Sequence, residues 1–168
     1  QASLTGHLAL STIHTNEAAA TVIRLIDMGI EPYLVTSTVT AVLAQRLVRK
    51  VCSHCKAPYS IGKDRLLKLG FSSQLLETHF SGTLWKGDGC HRCLQTGYQG
   101  RSGVFELLLM NDEIRKAINK STDAAAVKQA ALSTGMKGIK YDVCHKVLTC
   151  ETTVEEMLRV VITESGKS

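Results

Sequence analysis

The chain has 168 residues, 44% of them hydrophobic and 21% charged, with a net charge of +5. With two prolines and no low-complexity tract the chain argues against long disorder, no apolar run is long enough to span a bilayer, and the length suits one domain or two small ones. The positive charge is concentrated: Arg46, Arg49, Lys50, Lys56, Lys63, Arg65 and Lys68 face Asp64 alone, a stretch suited to nucleic acid, an anionic lipid surface, an acidic protein patch or simply to solvent.

Residues 6–13, Gly-His-Leu-Ala-Leu-Ser-Thr-Ile, read as a short buried strand. The strand is predicted to end in His14-Thr15-Asn16, with Asn16 as the N-cap of a helix that carries Val22, Ile23 and Ile26 and closes at Gly29. A strand feeding a helix through a polar turn is the basic α/β unit, and in such sheets ligands sit beyond the carboxyl ends of strands. The spacing of Leu34, Val35, Thr38, Val39, Val42, Leu43 and Leu47 predicts a second helix from Glu31 or Pro32 to about Lys50.

Two cysteine knuckles follow, Cys52-Ser-His-Cys55 and Cys90-His-Arg-Cys93. A C-x-x-C turn aims two sulfurs at one point, and two such turns supply the four soft ligands of a tetrahedral zinc ion. Cys52, Cys55, Cys90 and Cys93 are therefore the candidate ligands of a structural Zn2+; four reduced buried thiols and a disulfide framework are the competing readings. A catalytic metal is disfavoured, because four cysteines leave no position for water. His54 and His91 lie inside the knuckles as spacers or substitute ligands. Within the 34 residues between the knuckles (56–89), short helices are expected over Lys63–Leu69 and from a cap at Ser72 or Ser73 to about Thr78, and a strand over Thr83–Lys86. Trp85, the single tryptophan, is expected to pack against the knuckles.

Beyond Arg101, Gly103–Met110 reads as a buried strand, and Asn111 or Asp112 caps a helix. Helices are predicted over 123–133, 138–149 and 153–164, the last opening on a capping box within Thr152–Glu156. Met136, Ile139, Val143, Val147, Val154, Met157, Leu158 and Val161 would form the seam of a small bundle. Cys144 and Cys150 read as buried small hydrophobes. Gly166-Lys167-Ser168 imitates the end of a phosphate-binding loop, but the required glycine five residues earlier is Val161. The chain opens on Gln1, and reads as a piece of a longer protein.

Three stretches together resemble one family. They are Thr5–Ala18 with its two histidines, Arg24–Pro32 continuing through Leu43–Arg49, and the paired knuckles running into Gly97-Tyr-Gln-Gly-Arg-Ser-Gly-Val-Phe-Glu-Leu-Leu108. The family is that of the type II secretion ATPase E and the type IV pilus assembly ATPase. The resemblance implies an α/β plus α chain. Residues 1–50 would be the C-terminal part of a RecA-like P-loop ATPase domain, 51–103 a tetracysteine zinc-binding module, and 104–168 a strand and helical bundle. It implies that His7 and His14 form the histidine box that answers the γ-phosphate, although from chemistry alone they equally well tie a strand end to its turn. It also implies a hexamer in the full-length protein, ATP and Mg2+ bound there only, and a fragment inactive by itself. The implied location is cytoplasmic, peripheral to the bacterial inner membrane, against the secretion or pilus platform. The alternatives are a zinc-ribbon nucleic-acid module, disfavoured by an aromatic content of 5%, and a purely structural docking domain.

Overall fold

The computed structural model describes residues 2–165. The Gly166-Lys167-Ser168 sequence lies outside the described residues. The chain divides into two compact units, Gln1–Gln45 with Phe105–Gly138, and Arg46–Val104 with Ile139–Ser168.

In the first unit, α1 (Ala18–Asp27) and α2 (Pro32–Thr38) pack with α5 (Asp112–Lys120) and α6 (Ala124–Ser133). Ala18, Ala19, Val22, Val35, Ile114, Ile118, Val127 and Ala131 fill the space between them. The helix starts are locally encoded. Asn111 Oδ1 accepts the N–H of Ile114 at 3.0 Å, and Asp123 Oδ1 that of Ala125 at 3.0 Å, each satisfying an orphan donor of a first turn. Arg115 Nε donates to the Thr36 carbonyl at 3.0 Å and ties α5 to α2.

Two of the expected elements fail in this unit. Residues 6–13 are not a strand: they lie in irregular backbone, with Leu8 86% and Leu10 91% exposed. A central strand is held by neighbours on both edges, and among the described residues none pairs with this segment. The helix expected to reach Lys50 stops at Thr38, and β1 (Ala41–Val51) takes over. The true period is two. Ala44 and Val48 are buried with Val42 and Arg46 half-buried, while Leu43 and Leu47 stand exposed. Leucines four apart imitate a helical stripe, but β-branched Val39, Thr40 and Val42 favour a strand. Arg46, Arg49 and Lys50 thus belong to a strand and not to a helix C-terminus.

β1 is hydrogen-bonded to β4 (Tyr98–Leu109) in a two-stranded sheet. β4 also alternates, with Val104, Glu106 and Leu108 buried and Phe105, Leu107 and Leu109 exposed.

The second unit contains a hairpin of β2 (Lys56–Ser60) and β3 (Thr83–Gly87), antiparallel with Lys56 opposite Gly87 and Ser60 opposite Thr83. β2 was not anticipated; Pro58 obscures it, and proline is tolerated only at a strand edge. Between the strands lie α3 (Lys63–Lys68) and α4 (Ser73–His79), with Ser72 Oγ capping α4 through the N–H of Leu75 at 3.2 Å. α7 (Ile139–Leu148) packs on α4, on β3 and on α8 (Val154–Ser165). Leu66, Leu76, Leu84, Val143, Val147 and Met157 are buried here. The anticipated bundle seam is divided, because Met136 belongs to the first unit and Ile139 onward to the second.

Candidate metal centre and the two N-terminal histidines

The hairpin register places the two knuckles side by side. Lys56 opposite Gly87 leaves Cys55 and Asp88 as the next pair, and the Asp88 N–H donates to the Cys55 carbonyl at 3.0 Å. Cys52 enters from the end of β1, where its N–H donates to the Gly97 carbonyl at 2.9 Å. Cys90 is extended, His91–Cys93 forms a single 3₁₀ turn, and Leu94 and Gln95 follow at φ +53° and +62°. Two consecutive non-glycine residues in the left-handed region are costly. Here they fold the chain back so that the Gly97 N–H reaches Cys93 Sγ at 3.3 Å. Gly97 itself sits at φ +76°, and a Cβ on Gly87 would fall onto its carbonyl. Only two glycines allow this approach of backbone to backbone.

The outcome is a cluster of four sulfurs from Cys52, Cys55, Cys90 and Cys93, all within 4.8 Å of one another. Cys52–Cys90, Cys55–Cys93 and Cys90–Cys93 are 3.9, 3.8 and 3.7 Å apart. A tetrahedron with Zn–S arms of about 2.3 Å has edges of about 3.8 Å. These three separations match the edges of such a site, so the four residues fit the ion. Two of the sulfurs are buried and two half-buried. Burial raises the Cys93 thiol, but the N–H donors of Cys90 and Gly97 outweigh it and bring it down to about 6. Burial pushes Cys55 up to about 12. Four thiolates at this spacing repel one another, and a bound cation is what lets all four stay deprotonated.

His54 and His91 are exposed beside the cluster. Arg92 Nη1 lies 3.0 Å from His54 Nε2, which engages His54 away from the sulfurs. Lys56 Nζ, 5.0 Å above the Trp85 ring, donates to the Cys150 carbonyl at 3.0 Å. Trp85 thus contacts the strand next to a knuckle. Burial pushes the Cys144 thiol up to about 12, as suits a core residue. Cys150 is half-buried at φ +63° in a turn.

His7 and His14 both lie in the first unit, on the exposed segment before α1. His7 Nδ1 pairs with Thr5 Oγ1 at 2.9 Å. The N-cap of α1 is Glu17, not Asn16, and no side chain of the turn caps the helix. The cap comes from Glu106 on β4, whose Oε1 accepts the Ala18 N–H at 2.6 Å. Sequence inspection misses Glu106, since it reads as one polar residue in an apolar strand; its even position on the buried face is the signal.

Residues 1–159 match the profile of the family described as "Type II/IV secretion system protein". The chain belongs to that family. It is 44% identical over 94% of its length to the type IV pilus assembly ATPase PilB of Thermus thermophilus, covering 17% of that protein. It is also 44% identical, over 95% of its length, to the type II secretion system protein E of Pseudomonas aeruginosa and to the type II secretion system ATPase E of Vibrio cholerae, covering 31% of each. The family chain described here thus spans less than a third of those relatives. None of its described helices is long and apolar enough to cross a membrane.

Proposed function

We propose that this chain is the C-terminal part of a secretion or pilus-assembly ATPase, a motor that couples ATP hydrolysis to pilus or pseudopilus assembly and protein export. The observation that carries the reading is the family match over residues 1–159, in a chain that also gathers a closed cluster of four cysteines. Residues 1–50 belong to a RecA-like ATPase domain, 51–103 form the metal module, and 104–168 supply the strand and helices that follow. The motor is a cytoplasmic hexamer docked on the inner-membrane platform. ATP and Mg2+ are held by parts of the motor that precede this chain.

Cys52, Cys55, Cys90 and Cys93 hold Zn2+, which when bound staples the knuckles and fills its own coordination shell, so its contribution is structural. His14, with His7 nearby on the same exposed segment, responds to the γ-phosphate: an imidazole that bonds the nucleotide loses its partner on hydrolysis, and the segment is released.

The test is a chimera in which this chain replaces the matching segment of the Vibrio cholerae ATPase E. The expected result is ATP hydrolysis and restored secretion in a strain lacking the native ATPase, with a strong loss of turnover in H14A. A folded, zinc-loaded chimera that neither hydrolyses ATP nor supports secretion would overturn the reading. Salt-sensitive retardation of DNA or RNA by the chain would favour a nucleic-acid module instead.

A further inference from the structure

The turn that presents His14 is clamped at three points within the first unit. Thr15 Oγ1 meets Thr21 Oγ1, six residues on and inside α1. Glu17 Oε2 accepts Lys128 Nζ from α6 at 2.8 Å. Glu106 Oε1 accepts the Ala18 N–H at 2.6 Å. The last of these is unusual in kind. Glu106 is 2% exposed and 88 residues distant in sequence from the N–H it binds. A carboxylate is costly to bury unless something offsets its charge, and the start of a helix offers both an orphan N–H and the positive end of the dipole. Because Glu17 provides no side-chain cap bond, α1 depends on β4 for its first turn.

His14 stands just before the clamp and is exposed. Its backbone is therefore fixed on one side while its ring faces solvent. That is the arrangement required of a group that must meet a ligand without first being ordered, since the entropy of ordering has been spent in folding.

We infer that Glu106 is the positioning residue of the histidine box: through the Ala18 N–H it holds the turn over residues 14–17 in the geometry in which His14 meets the terminal phosphate. The inference deepens the function proposed above and rests on it. Glu106 does not touch nucleotide. It acts through His14, so its effect disappears when His14 is gone.

Two measurements decide it. In the full chain alone, amide exchange at Ala18 in E106A is expected to accelerate at least about tenfold relative to the unmutated chain, with Ile23–Ile26 unchanged. Unchanged exchange at Ala18 overturns the clamp. In the chimera, E106A is expected to lower kcat about tenfold with KM within about twofold, and E106Q, which keeps an acceptor oxygen, to recover most of that loss. The double variant H14A/E106A is expected to be no slower than H14A, because coupled residues are not additive. Additive losses, or an unaltered kcat in E106A, overturn the positioning role. Should E106A fail to fold, E106D, which withdraws the carboxylate by one methylene, is carried through both measurements with the same expected directions. An inactive unmutated chimera counts against the motor reading itself, and the exchange measurement then decides the clamp independently.

Discussion

Glu156 on α8 accepts the backbone N–H of Arg49 on β1 at 2.7 Å and, through its other oxygen, Arg49 Nε at 2.9 Å. Arg159, one turn along α8, adds bonds of 3.1 and 2.9 Å to the same carboxylate and a third to the Leu47 carbonyl at 3.0 Å. The Glu156 side chain is fully buried. Arg49 also stacks 4.0 Å above the Tyr98 ring, and the Tyr98 hydroxyl bonds Thr153 at 2.9 Å. Thr153 in turn accepts the Glu156 N–H at 3.2 Å, so α8 is capped, but Glu156 bonds Arg49 and Arg159 in place of closing a reciprocal capping box.

Burial alone would raise the Glu156 carboxyl; the donors from Arg159 and Arg49 outweigh it and hold it at about 2, against an ordinary 4.5. A depressed carboxyl stabilises the fold fully above its unfolded value and loses that contribution as pH falls toward the folded one. Stability should therefore decline between pH 4.5 and 2, by at most about 3 kcal/mol from this group. In denaturant melts across that range, E156Q should be less stable than the unmutated chain at pH 6, and the gap should close by pH 2. A constant gap would refute the assignment.

Elemental analysis of chain purified without added metal should give one zinc per chain. C52S or C90S should lose the metal and expose residues 46–104 to protease, since the binding energy of a structural zinc is folding energy. Metal content and protease resistance unchanged in C52S would refute the site.

G97A should weaken zinc binding more than its distance from the ligand set suggests. The new methyl meets the Gly87 backbone and forces a side chain to φ +76°, while disturbing both the N–H held by Cys93 Sγ and the carbonyl held by the Cys52 N–H. Loss of such supporting bonds typically costs 10- to about 100-fold in metal affinity. Competition with a chromophoric chelator reads the change directly; affinity within twofold of the parent would show that the turn is not part of the site.

The chain alone should show no saturable ATP turnover. Phosphoryl transfer depends on a phosphate-cradling loop, its lysine and a Mg2+-binding hydroxyl, and position 161, where the loop glycine would fall, is Val161. Turnover that saturates with ATP and survives further purification would contradict this.

What could be read from the sequence was what is encoded locally. Ser72 and Asn111 mark helix starts because an N-cap bonds an N–H two or three residues away. The knuckles are equally local. The errors arise where distant partners decide. Leu43 and Leu47 suggest a helix until β4 is known to lie beside β1. Residues 6–13 suggest a buried strand, and a strand exists only with neighbours. Glu106 escapes notice because its partner, Ala18, is 88 residues away. His14 was placed by resemblance; its exposure and its clamped base are properties that spacing does not contain.

The 34-residue excursion between the knuckles leaves and returns at one point, because Lys56 lies opposite Gly87 and the sulfurs meet just beyond. The entropy of closing it grows slowly with its size, about 0.6 kcal/mol for each doubling of length. The two short helices inside it are held from outside as well: α7 packs on α4 and on β3, and Leu66, Leu75 and Leu76 are buried. The excursion is thus held in two independent places, at its base by the sulfurs and along its length by α7.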